Sequence, residues 1–96
     1  MSNSDAAVRT VHVVIEGRVQ GVGFRDWTEC QATRLGLTGW VRNRRDGAVE
    51  AVFSGAPGVV EDMLGRCQRG PPSAWVQRVA IIGEPAASYS GFDVLF

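Results

Sequence analysis

Ninety-six residues predict one small domain, able to bury about two-thirds of its unfolded surface and too short for a second domain. Ten acidic residues balance ten basic ones, so there is no global basic field of the kind that drives nucleic-acid or anionic-membrane binding. All the basic residues are Arg, which excludes Schiff-base catalysis by Lys and the lysine-bearing P-loop.

Residues 1–7 are short and polar, with no apolar stretch behind them that could span a bilayer. They read as a flexible tail before a domain over residues 8–96, in a soluble cytoplasmic protein. Val11, Val13 and Ile15 then alternate with His12, Val14 and Glu16, the period of a strand with one face on a core. Next comes G-R-V-Q-G-V-G-F-R over residues 17–25. Gly21 and Gly23 lack Cβ, so successive backbone amides can turn toward one point, and the following helix adds its free N-terminal amides and positive dipole end. The expectation is an anion cradle built from Gln20, Gly21, Val22, Gly23 and Phe24, with the Arg25 guanidinium as a fixed positive fork. On loop shape alone the same pattern also serves a plain tight turn, with Arg25 a solvated helix charge.

Phe24, Trp27, Thr28, Gln31, Ala32 and Leu35 recur at helical spacing before Gly36, a natural residue just past a helix end. Residues 40–43 and 48–53 read as strands flanking R-R-D-G, whose Asp-Gly pair predicts an antiparallel hairpin. Pro57 marks a second helix, with Val60, Met63, Leu64 and Cys67 on one stripe until Gly70-Pro71-Pro72 forbids continuation. Residues 75–82 form a fourth strand, 85–91 a loop, and 92–96 a short fifth strand. The order βαββαβ is the ferredoxin-like α+β arrangement, a four-stranded sheet with two helices on one face and a short added strand. In it the third strand lies between the first and second, antiparallel to both, so the cradle and Asn43 reach the same rim. An Asn there can accept from and donate to one water at once, or act as a turn residue at the hairpin mouth.

Other residues carry less. Cys30 and Cys67 lack C-x-x-C spacing, so no zinc knuckle or redox dithiol is indicated; Cys67 reads as core and Cys30 as partly exposed. His12 reads as a solvent-side strand residue, and neither a histidine base nor a metal site is expected. Arg18, Arg42, Arg44 and Arg45 raise the potential around the cradle or form a solvated hairpin tip.

The motifs G-x-V-Q-G-V-G-F-R at 17–25, L-G-L-x-G-W-V-x-N at 35–43, D-G-x-V at 46–49 and G-P-P at 70–72 closely resemble those of the acylphosphatase family, over nearly the whole chain. The resemblance implies hydrolysis of the carboxyl-phosphate anhydride of a small-molecule acyl phosphate, without metal or cofactor. It implies Arg25 and Asn43 as catalytic residues, Arg25 binding the phosphoryl group and Asn43 placing the attacking water. Inorganic phosphate is then product and inhibitor, the protein is a monomer, and no nucleic acid or membrane is a partner. Such chemistry asks little of a protein, because a carboxylate leaving group, with a conjugate-acid pKa of about 4, departs without a general acid. Two departures stand out: Asp26, where the family often has an aromatic or small residue, and Gly65 inside the second helix, at about 1 kcal/mol relative to Ala.

RNA recognition motifs share the βαββαβ order, but their third strand presents stacking aromatics in a K/R-G-F/Y-G/A-F-V-x-F/Y run. Residues 48–53 offer one aromatic. The alternative within reach of the site is a module that binds an acyl phosphate without hydrolysing it; a chain with no further domain to regulate favours the enzyme.

Overall fold

The computed structural model describes residues 7–96; the expected tail, Ala7 apart, lies outside the described residues. The elements are β1 (Arg9–Arg18), α1 (Phe24–Arg34), β2 (Thr38–Asn43), β3 (Val49–Gly55), α2 (Pro57–Arg69), β4 (Trp75–Gly83) and β5 (Phe92–Val94). They form one sheet in the order β4-β1-β3-β2-β5. As the pattern predicts, β3 pairs antiparallel with β1 and with β2, so β1 and β2 run parallel and end on one rim. β5 is shorter than the expected 92–96 and joins the sheet as a fifth strand, parallel to β2.

The register puts Val11, Val13 and Ile15 of β1, Val41 of β2 and Val49, Ala51 and Phe53 of β3 in one core cluster with Phe24, Ala32, Val60, Met63, Leu64 and Cys67 of the helices. In α1, Phe24, Thr28 and Ala32 are buried at every fourth position, one stripe of a helix surface. Gly36, at φ 72°, takes the left-handed turn beyond its end, and Leu37 N–H then donates to the Ala32 carbonyl at 2.9 Å. In α2 the stripe is Val60, Met63, Leu64 and Cys67. Burial pushes the Cys67 thiol up to about 12, which makes it an inert core side chain. Cys30 is exposed.

β2 threads closely past β3. A Cβ at Gly39 would stand 1.9 Å from the Val52 carbonyl oxygen, so no other residue fits without separating the strands that bring Asn43 to the rim.

The sheet's other face carries His12, Trp40, Arg42 and Glu50. His12 lies on the solvent side of β1 as its alternation predicts, partly covered by its neighbours on that face. Val52 lies opposite both His12 and Trp40 in the register, and their rings meet edge to face at 5.7 Å, leaving Val52 buried on a face without helices.

Candidate functional site

Between β1 and α1 the chain makes two left-handed turns, at Gly21 (φ 74°) and Gly23 (φ 78°). A Cβ at either would meet no atom within 4 Å, so the constraint is backbone conformation, which only glycine adopts at little cost. Val19, fully buried, anchors the loop in the core. Gly23 is the N-cap of α1; its carbonyl accepts from Trp27 N–H at 3.0 Å, and no side chain caps the helix. Among the described residues the backbone amides of Gln20, Gly21, Val22, Gly23 and Phe24 donate to no backbone acceptor. They are open donors beside the positive end of a helix dipole.

Arg25 is the second residue of α1 and Asn43 the last of β2. They line one small cavity of about 100 Å³ together with Val19, Gly21, Gly23, Phe24 and Asp26. The expected partners thus meet at one point, and Asn43 makes no side-chain hydrogen bond within the protein that would occupy its amide, among the described residues. Asp26, an exposed residue of the first turn of α1, is also among the residues that line this cavity.

Gln20 behaves differently from its neighbours. Its side-chain amide donates to the carbonyls of Arg44 at 2.7 Å and Ala48 at 2.8 Å, spanning both sides of the β2–β3 hairpin mouth. Sequence reasoning placed only its backbone in the cradle. The side chain instead holds the loop against the strand end that carries Asn43. Gln20 and Val22 are absent from the cavity lining, which comes from Val19, the two glycines, the first turn of α1 and Asn43.

A wider groove of about 780 Å³ adjoins through Asn43, lined by Arg42, Arg44, Arg45, Asp46, Glu50 and Phe96. Its charges are largely paired. Arg42 reaches Glu50 at 2.8 Å and lies over the Trp40 ring, and Arg44 reaches Asp46 at 3.0 Å. Asp46 accepts from Ala48 N–H, and that bond first, then Arg44, holds its carboxyl below the usual range. Glu50 is nearly buried: burial alone would raise its carboxyl, but hydrogen bonds from His12, 2.5 Å away, and from Arg42 outweigh it and keep it low. Of the arginines expected to raise the local potential, Arg42 and Arg44 are therefore tied to carboxylates. Among the described residues no group of three or more His, Cys, Asp and Glu is placed to hold a metal ion, and no helix is long and apolar enough to cross a membrane.

The sequence model of the acylphosphatase family matches residues 11–94, from the core of β1 to the end of β5. The chain belongs to the acylphosphatase family. It is 62% identical over 69 residues to the acylphosphatase of Bradyrhizobium diazoefficiens, spanning 72% of this chain and 70% of that protein. It is 57% identical over 84 residues to the acylphosphatase of Trichormus variabilis, spanning 88% and 83%. Among solved structures, an acylphosphatase from Coxiella burnetii matches with a TM-score of 0.89 at 35% identity, over 99% of this chain and 100% of that one. One from Bacillus subtilis matches at 0.85 and 28%, over 94% and 100%. These likenesses run through both helices and the whole sheet, so the acylphosphatase fold is the frame on which the cradle and Asn43 are set.

Proposed function

We propose that this chain hydrolyses acyl phosphates to a carboxylate and inorganic phosphate, with Gln20, Gly21, Val22, Gly23 and Phe24 as backbone donors, Arg25 as phosphoryl clamp and Asn43 as the residue that places the attacking water. The carrying observation is that Gly21, Gly23 and Phe24, whose backbone amides are open among the described residues, line one small cavity with Arg25 and Asn43. Family membership supports the substrate class.

The reaction runs in line. The amides and the guanidinium bind the equatorial phosphoryl oxygens and are already oriented when charge redistributes, which is where preorganised donors act most strongly. Water held by the Asn43 amide forms the new P–O bond as the bond from phosphorus to the carboxylate oxygen breaks. In a loose transition state the water keeps its proton until late and then releases it to solvent, so a strong base is not required. The carboxylate leaves as an anion and needs neither general acid nor Lewis acid.

The proposal extends to one domain over residues 8–96, a monomer in the cytoplasm, with no nucleic acid or metal involved. Two unlinked thiols, Cys30 and Cys67, suit a reducing compartment. Phe53, the only aromatic of β3, is buried in the core, where it offers no base a stacking surface. The test is phosphate release from benzoyl phosphate and acetyl phosphate against an alkyl phosphate monoester, with and without exhaustive chelation. Fast turnover of the two anhydrides alone, unchanged by chelation and competitively inhibited by inorganic phosphate, is expected. Comparable rates on the monoester, or activity restored only by a divalent ion, would refute the mechanism.

A further inference from the structure

The two residues that follow β5 reach back to the cradle. Leu95 N–H continues the β5–β2 pairing by donating to the Val41 carbonyl at 2.8 Å. This holds Leu95 beside β2, and its carbonyl, on the following peptide, accepts from Arg25 Nη1 at 3.4 Å. The Phe96 ring then lies under the guanidinium, 5.4 Å from Arg25 Cζ to the ring centroid. Phe96 is 104% exposed, so hydrophobic burial does not account for its place. It stands at the mouth of the groove that adjoins the cradle through Asn43.

The orientation matters because an arginine in the first turn of a helix has a long stem and many rotamers. Among the described residues Nη1 is the only Arg25 nitrogen with a side-chain hydrogen bond, which leaves Nε and Nη2 for a ligand. Val41 and Asn43 belong to the same strand, two residues apart. One strand therefore carries Asn43 at its end and, through the Val41–Leu95 hydrogen bond, holds the segment that touches Arg25.

We propose that the Leu95 carbonyl and the Phe96 ring are positioning elements for Arg25, holding the guanidinium plane so that its free edge faces the cavity. The proposal rests on the reading of Arg25 as the phosphoryl clamp. A long hydrogen bond and an exposed ring contact are individually weak, so their effect is on aim rather than on fold. Nothing in the fold beyond the cradle depends on the Phe96 side chain.

The test measures kcat/KM on benzoyl phosphate and acetyl phosphate and the competitive Ki of inorganic phosphate, with thermal unfolding, for Phe96→Ala, Phe96→Leu and Phe96→Trp. Phe96→Ala and Phe96→Leu should lower kcat/KM equally on both substrates and raise the phosphate Ki by about two- to fivefold, the range of an exposed cation–π contact. Phe96→Trp should keep or improve both values, because indole is the strongest cation–π partner. Unfolding temperatures should not move. A loss confined to benzoyl phosphate overturns the proposal, since Phe96 would then be a wall for the acyl ring. Parent values in Phe96→Ala, beside a large loss in Arg25→Lys, overturn the positioning role and leave the clamp standing. An inert Arg25→Lys sinks both together.

Discussion

The two helices pack into one core and start at opposite rims of the sheet, because β1 and β3, which precede them, run antiparallel; only one start is fit to hold an anion. At α1 the preceding amides have no backbone acceptor among the described residues, Gly23 is left-handed, and Arg25 and Asn43 line the cavity there. At α2 the Ala56 carbonyl accepts from Val59 and Val60 N–H, each at 3.0 Å, and Pro57 removes a donor altogether. Neither helix has a side-chain cap hydrogen bond, and each presents the positive end of its dipole at its start. The macrodipole is thus common to both ends and decides nothing. What differs is the number of donors left open by the loop and the side chains brought to them from another strand.

The comparison breaks most sharply at Arg25. Arg25→Lys keeps the charge but loses the planar fork, and should cost about 2–4 kcal/mol of transition-state stabilisation, roughly thirty-fold to a thousand-fold in kcat/KM. A folded variant with near-parent kcat/KM on benzoyl phosphate would make the α1 start no more special than that of α2. Asn43→Ala should come next, with a fall in turnover of about a hundred-fold, the scale of a misplaced reactant, and little change in the Ki of phosphate. A large loss of phosphate affinity would move Asn43 from the water to the anion.

The backbone halves of the comparison give smaller effects, and they run in opposite directions. Gly23→Ala forces a side chain into a left-handed N-cap and should destabilise by about 1–2 kcal/mol, weakening phosphate inhibition as the amides lose alignment. Loss of stability with an unchanged phosphate Ki would separate the turn from the cradle. Ala56→Ser supplies the missing cap at α2 and should stabilise by about 1 kcal/mol, read as a higher unfolding temperature, while kcat/KM stays at the parent value. A change in kcat/KM there would mean that the two helix starts are coupled.

The elements were legible because their signals are local. Alternation in β1, the four-residue spacing of Val60, Met63, Leu64 and Cys67, and the stops at Gly36 and Gly70 each depend on neighbours a few positions away. The meeting of Arg25 and Asn43 was also legible, since strand order alone carries both to one rim. What escaped depends on register and on groups that have no pattern. The pairing of Glu50 with His12 is a diagonal contact across β3 and β1, and the periodicity of either strand is silent about it. The Gln20 side chain has no sequence signature for its two carbonyl partners. Residues 95 and 96 read as the end of a strand, because an aromatic after an apolar run looks the same whether it continues a ladder or covers an arginine.

The Gln20 amide bridges a loop near the start of the chain and a hairpin near its middle. Those parts come together only when β3 has inserted between β1 and β2. A chain that has formed β1 and α1 alone has the glycines and Arg25 but no cavity, so an anion that needs the cavity binds the completed fold and not its precursors. Phosphate at about a hundred times its dissociation constant would then add about 2.7 kcal/mol to the stability of the whole domain. Proteases, which cut the open chain, would find fewer molecules to cut as phosphate rises, and the lifetime of the protein would follow the concentration of its own product.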